Sequence, residues 1–432
     1  MRANIPHLPA MKNVRVTQHP SGLTIVTAAA PEVASISLGL WVDTGGRYEP
    51  AELNGVAHFI EHMLFKGTKR RSPSEISQAV EGIGGYLNAF TSEEHTCFYS
   101  KALHDRFAEL LDVLMDMLLN PRLARADVDL EREVVKEELA MCMDDPQQHV
   151  QELINQTFWP DHPLGRPLAG TVKTLNRLRR EHLRGFMRQN YIAASTVVAA
   201  AGNLRHEQVV SAVARYARHF PTGPRPQFLP MVSRQTRPRV RLVTKDTAQT
   251  QLVVGFRTCP RRDERRFALR LLNTILGENM SSRLFQELRE NRGLAYHVQS
   301  SASFFHDAGT LDIAVGLDGR HVAQALQLIL RELRRITIRP PSRGELARAR
   351  DYVLGHMALS LENTENQMNL LGEQWLGFGR LVPLEYIRKR VTAVTPAEVQ
   401  AAARDFFQPE RLNLAAVSPL KSAARLEKLL RL

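Results

Sequence analysis

The chain repeats itself. Ser35-Ile36-Ser37-Leu38-Gly39-Leu40-Trp41-Val42-Asp43-Thr44-Gly45 resembles Thr250-Gln251-Leu252-Val253-Val254-Gly255-Phe256-Arg257-Thr258, and the segment 196–202 resembles 412–417, each pair about half of the 432-residue chain apart. Two matches at one offset require two related domains rather than one continuous core, and a chain of this length is in any case too long for a single core. Between the copies, Pro221-Thr222-Gly223-Pro224-Arg225-Pro226 continues to Pro230 and Pro238, a proline density that marks a semi-rigid linker. The expected division is therefore 13–220, a linker over 221–238, and 239–432. Each half mixes alternating strand patterns with long helical ones, such as Arg106 to Leu119 and Val322 to Leu333. The apolar stretch from Leu23 to Val42, broken by Pro31 and Glu32, reads as two strands. The expected class is α+β, each domain a mostly antiparallel sheet packed with helices.

Composition narrows the setting. The apolar content of 44% belongs to a folded chain, and no run is long enough to span a membrane. Residues Met1 to Met11 lack the apolar core of a secretory signal. The three cysteines, Cys97, Cys142 and Cys259, form no metal or redox spacing, and a sparse, odd set fits a reducing, cytoplasmic compartment. A formal net charge of +12 is high, with clusters at Lys69-Arg70-Arg71, Arg177 to Arg180 and Arg261-Arg262. These basic residues alternate with acids, show no aromatic interleaving and match no nucleic-acid motif, so no nucleic-acid partner is expected.

The chemistry is concentrated in Ala57-His58-Phe59-Ile60-Glu61-His62-Met63-Leu64-Phe65. On a helix His58 and His62 leave one face a turn apart and can grip one ion, with Glu61 beside them as a general base for a metal-activated water. The pattern is H-x-x-E-H, an inverzincin signature. An ordinary amphipathic helix would equally bury Phe59, Ile60, Met63 and Leu64 and leave the polar residues in water. Catalytic zinc generally needs a third protein ligand. The best source is the acidic helix over 127–139, where Glu131 and Glu138 are seven apart and share a face close to that of Val134 and Val135. That pair is expected to point inward, with Glu133 and Glu137 facing water; carboxylates on an apolar-leaning face are costly unless paired or bound to metal.

With the block His58 to Thr68 and the later Glu131-Arg132-Glu133-Val134-Val135-Lys136-Glu137-Glu138, the chain resembles the pitrilysin family of zinc metallopeptidases. The likeness is closest to the β subunit of mitochondrial processing peptidase and its bacterial half-length relatives. The resemblance implies one zinc per chain held by His58, His62 and Glu138, with Glu61 as base and Glu131 behind the ligands. Gly84-Gly85 and the strand after it resemble the family's substrate-pairing edge, which carries over Asn88 and Ala89 as substrate contacts. Ser281 to Tyr296 resembles the family's distal motif, which carries over Arg289 and Tyr296 as groups serving the active site from the far half of the enzyme.

The resemblance further implies that the two domains form half of a clam-shell closed by dimerisation, with a second copy or with a non-catalytic paralogue. A basic chain would repel basic presequences unless its chamber is locally acidic, so the expected substrates are short unfolded peptides, with presequence-like segments beside them. The alternative is a catalytically silent structural or assembly subunit of the same fold.

Overall fold

A computed structural model describes residues 13–430, so the segment 1–11 searched for a targeting signal lies outside the described residues. The first half forms a six-stranded sheet. Its strands are β1 (Val14–Gln18), β2 (Thr24–Ala29), β3 (Ser35–Val42), β4 (Tyr86–Thr91), β5 (Thr96–Leu103) and β6 (Thr196–Gly202), in the order β1-β2-β6-β3-β5-β4. The second half forms a five-stranded sheet of β7 (Arg239–Thr244), β8 (Thr250–Thr258), β9 (Ala295–Phe304), β10 (Gly309–Leu317) and β11 (Leu412–Ser418), in the order β7-β11-β8-β10-β9. The two orders superimpose strand for strand once β1 is set aside. In each sheet one pair is parallel, β2 with β6 and β7 with β11, and the other pairs are antiparallel. The segments that repeat in sequence, β3 with β8 and β6 with β11, occupy equivalent places. The class is α+β as expected.

Each sheet packs helices on both faces, and one layer is exchanged between the halves. The helix Thr364–Phe378 of the second half lays Met368 and Leu371 on Val26, Trp41, Val197 and Ala199 of the first sheet. Reciprocally, the helix Pro146–Phe158 of the first half lays Val150, Ile154 and Phe158 on Val253, Ala415 and Val417 of the second. A glycine on each of β3 and β8 admits these helices. A Cβ on Gly39 would come within 2.4 Å of Met368 Sδ, and one on Gly255 within 2.4 Å of the Phe158 ring. Residues 221–238 carry no helix or strand. These residues connect the halves along the chain, and the packing of the halves is interlocked.

The helix read from Arg106 spans Phe107–Leu119 behind a tight turn at His104–Arg106, and the one read over 322–333 runs on to Ile338. The acidic helix spans Arg125–Asp144, and here one expectation is corrected. Val128, Glu131 and Val135 are buried, but Val134 is 40% exposed, so it does not share the inward face of Glu131. The helix is turned so that Val128, Glu131 and Val135 at spacings of three and four form the buried line, which rotates Val134 into solvent.

Candidate metal centre

The motif lies on the helix Val56–Leu64, which buries Val56, Ala57, Phe59, Ile60, Met63 and Leu64 and leaves His58, Glu61 and His62 partly accessible. Apolar packing around most of its circumference holds the helix rigidly, so the polar face is aimed by the core. The His58 and His62 rings stand 4.6 Å apart between centroids. Glu138 reaches them from the acidic helix, its Oε2 lying 3.5 Å from His62 Nε2 and 4.0 Å from His58 Nε2. One donor atom from each of His58, His62 and Glu138 lies within 4.8 Å of the other two.

These residues fit a zinc ion. Zinc ligands at roughly 2.0–2.2 Å in a tetrahedron stand about 3.3 Å from one another, close to the separations seen. The charges around the two rings also suit a cation. Burial, and secondarily His62, holds the His58 pKa down at about 4, so its ring is neutral and offers a lone pair. Burial alone would lower His62 too, but its bond to Glu131 and the neighbouring Glu138 and Glu61 outweigh this and raise it.

Behind the histidines, Glu131 is 3% exposed and its Oε1 lies 2.9 Å from His62 Nδ1, while its Oε2 pairs with Lys66 Nζ at 2.6 Å. Burial works against the charge on Glu131, yet the bonds from His62 and Lys66 prevail and hold its pKa below the usual value. The bond to Nδ1 leaves His62 Nε2 as the nitrogen facing Glu138. Glu61 accepts a hydrogen bond from Thr91 Oγ1 at 2.6 Å. Burial raises its pKa, and the Thr91 bond offsets part of that rise. A more basic carboxylate is better suited to take a proton near neutral pH.

Thr91 and Lys66 were not singled out from the sequence. Lys66 lies within the block His58 to Thr68 and Thr91 at the end of β4, but neither contact follows from spacing, because each crosses between elements. Glu133 and Glu137 are exposed. Asn88 and Ala89 lie on β4, which is the free edge of the first sheet, and Asn88 Oδ1 accepts from Ala89 N at 2.8 Å. Arg289 and Tyr296 are elsewhere: Arg289 stacks over Phe285 at 5.1 Å, and Tyr296 is 66% exposed on the edge strand β9. Among the described residues no hydrogen bond or ion pair joins either of them to the histidine–carboxylate cluster of the same chain.

Residues 24–172 match the family described as insulinase (peptidase family M16), and residues 177–353 match the peptidase M16 inactive domain. The chain is 40% identical over 414 residues to an uncharacterized zinc protease of Streptomyces coelicolor, covering 94% of this chain and 90% of that protein. It is 37% identical over 420 residues to an uncharacterized zinc protease of Mycobacterium tuberculosis, covering 96% of each. The crystal structure of a protease from Helicobacter pylori has the same fold, with a TM-score of 0.89 at 20% identity over 94% of this chain and 99% of that one.

Proposed function

This chain belongs to peptidase family M16, and on that premise we propose that it is a zinc-dependent endopeptidase that cuts short, unfolded peptides inside a dimeric chamber. The observation that carries the reading is the intact set of His58, His62 and Glu138 with Glu61 beside it and Glu131 behind it. Zinc held there supplies a Lewis acid for the scissile carbonyl and acidifies the attacking water. Glu61, steadied by Thr91, takes the proton as water adds to the carbonyl, then delivers it to the leaving nitrogen as the C–N bond breaks. The free edge of β4 pairs with an extended peptide through backbone groups, near Asn88 and Ala89, and so selects unfolded chains more than particular side chains.

Glu131 acts through His62, fixing its ring. Glu131→Gln is expected to weaken zinc binding about 10–100-fold, the usual effect of losing a ligand's outer partner, measured by competition with a chelating dye. An unchanged affinity would leave Glu131 as a buried structural acid.

Arg289 and Tyr296 are assigned to the site of the partner subunit, where the tyrosine hydroxyl donates to the developing oxyanion and the arginine holds the substrate backbone. Chains with Glu61→Gln and chains with Tyr296→Phe are each expected to be impaired. Mixed and allowed to exchange, they should recover about a quarter of wild-type sites through random pairing. No recovery after proven exchange would remove the arrangement in trans. The three free cysteines fit the cytoplasmic setting proposed for the enzyme, and among the described residues no helix is long and apolar enough to cross a membrane. The direct test of the peptidase reading is zinc-dependent cleavage of an unstructured fluorogenic peptide, lost on Glu61→Gln. Cleavage by neither protein at full zinc loading would favour the silent assembly subunit.

A further inference from the structure

We propose that Glu49, seven residues ahead of the motif helix, is a positioning residue that fixes the first turn of that helix and thereby the places of His58, Glu61 and His62. The helix Val56–Leu64 has no side-chain cap of its own, because its N-cap residue is Gly55 at φ +95°. A Cβ there would come within 2.7 Å of Ala169 O, so the serine, threonine or aspartate that usually caps a helix cannot stand at this position.

The cap comes instead from a distance. Glu49 is 4% exposed; its Oε1 accepts from Ala57 N at 2.8 Å, and its Oε2 accepts from Gly55 N at 2.7 Å and from Asn54 Nδ2 at 2.9 Å. Ala57 is the residue directly before His58. The loop carrying Glu49 is itself anchored. Arg166 Nη1 donates to the Glu49 carbonyl at 2.9 Å, and two residues earlier the buried Arg47 pairs with Glu94 at 2.8 Å and with Asp307 of the second half at 2.6 Å. The repeat without the metal motif does this differently: before its first helix, Arg266–Asn273, Asp263 Oδ1 simply accepts from Arg265 N two residues away. The buried remote carboxylate belongs to the metal-binding half.

The arrangement carries a stability cost, which separates positioning from plain structural support. Burial raises the Glu49 pKa to about 7, against the opposing bonds from Ala57, Asn54 and Gly55 and the charge of Arg166. A carboxyl whose folded-state pKa is raised favours the fold while protonated, and that contribution is lost as pH rises from about 4.5 through 7. At pH 8 the group is ionised and contributes less to folding than its protonated form would, and yet both its oxygens are committed to the motif helix and Asn54.

This inference rests on the zinc-site reading, and its test avoids turnover. Full-length Glu49→Gln and Glu49→Ala chains are compared with wild type at pH 8 in zinc affinity by chelator competition, in amide hydrogen exchange of the motif helix, and in apo-protein Tm. Glutamine must turn its NH2 toward one of the donors that both glutamate oxygens accept. It is therefore expected to weaken zinc binding about 10-fold or more and to speed exchange at Gly55 to His58 with little change in Tm. Alanine should weaken zinc binding further. Wild-type zinc affinity and protection in Glu49→Gln would overturn the proposal, and so would losses that merely follow a fall in Tm. If the wild type bound zinc and cut no peptide, the peptidase reading would fall while these readouts still decided this one.

Discussion

Glu61→Gln is expected to lower kcat/KM on an unstructured fluorogenic peptide by about 10²–10⁴-fold, the range lost with a general acid–base, while zinc content stays at the wild-type level. The substitution is nearly isosteric, and Thr91 Oγ1, which now donates to Glu61 at 2.6 Å, can donate to the glutamine carbonyl instead. None of the three candidate ligands changes, so metal binding is preserved while the proton acceptor is lost. Stability should also hold. Burial raises the Glu61 pKa, so its ionised form is the less favourable one in the fold, and a neutral amide removes that cost at neutral pH. The peptide should be roughly 10–25 residues long and without structure, because backbone must be exposed to pair at a sheet edge. Equal cleavage by both proteins would remove Glu61 from the chemistry.

The second large effect concerns Glu138. Glu138→Gln is expected to weaken zinc binding by more than about 100-fold, beyond what an outer partner costs, and to abolish measurable cleavage at stoichiometric zinc. The acidic helix supplies its own controls. Glu133 and Glu137 flank the same stretch and are exposed, so Glu133→Gln and Glu137→Gln should leave zinc affinity unchanged. Glu131→Gln should fall between, because Glu131 touches His62 Nδ1 rather than the space between the donor atoms. Zinc content after dialysis against a weak chelator reads the series directly. An affinity order in which Glu138→Gln equals wild type would assign the third ligand elsewhere and undo the centre as described.

What could be read from the residues was local or repeated. The pairing of His58 with His62 needs only the pitch of one helix, and the rings do stand together, 4.6 Å apart between centroids. The strands of the duplicated segments were legible because alternation and repetition are properties of the chain, and β3 with β8 and β6 with β11 occupy equivalent places. On the acidic helix, the spacing of Glu131 and Glu138 placed them on one face, yet Val134 was wrongly set beside them. Periodicity fixes angles between residues of one helix and leaves free the rotation of the whole helix against its neighbours.

That rotation is set by packing, and with it the division of labour between Glu138, which reaches His58 and His62 from the acidic helix, and Glu131, which backs His62 with Lys66. The exchange of helices between the halves is equally a tertiary fact. Gly39 and Gly255 each lie in a strand legible in the sequence, but only the fold shows that each leaves room for a side chain from the other half. Glu49 left no signal at all: it sits in a loop, and its role exists because burial brings its carboxylate to Gly55 and Ala57. The sequence by itself determined the kind of site, through residues whose spacing along one element sets their chemistry. The tertiary structure alone decided which carboxylate reaches the histidines, what orients them and what holds their helix, because those contacts join elements whose relative placement only the packed core defines.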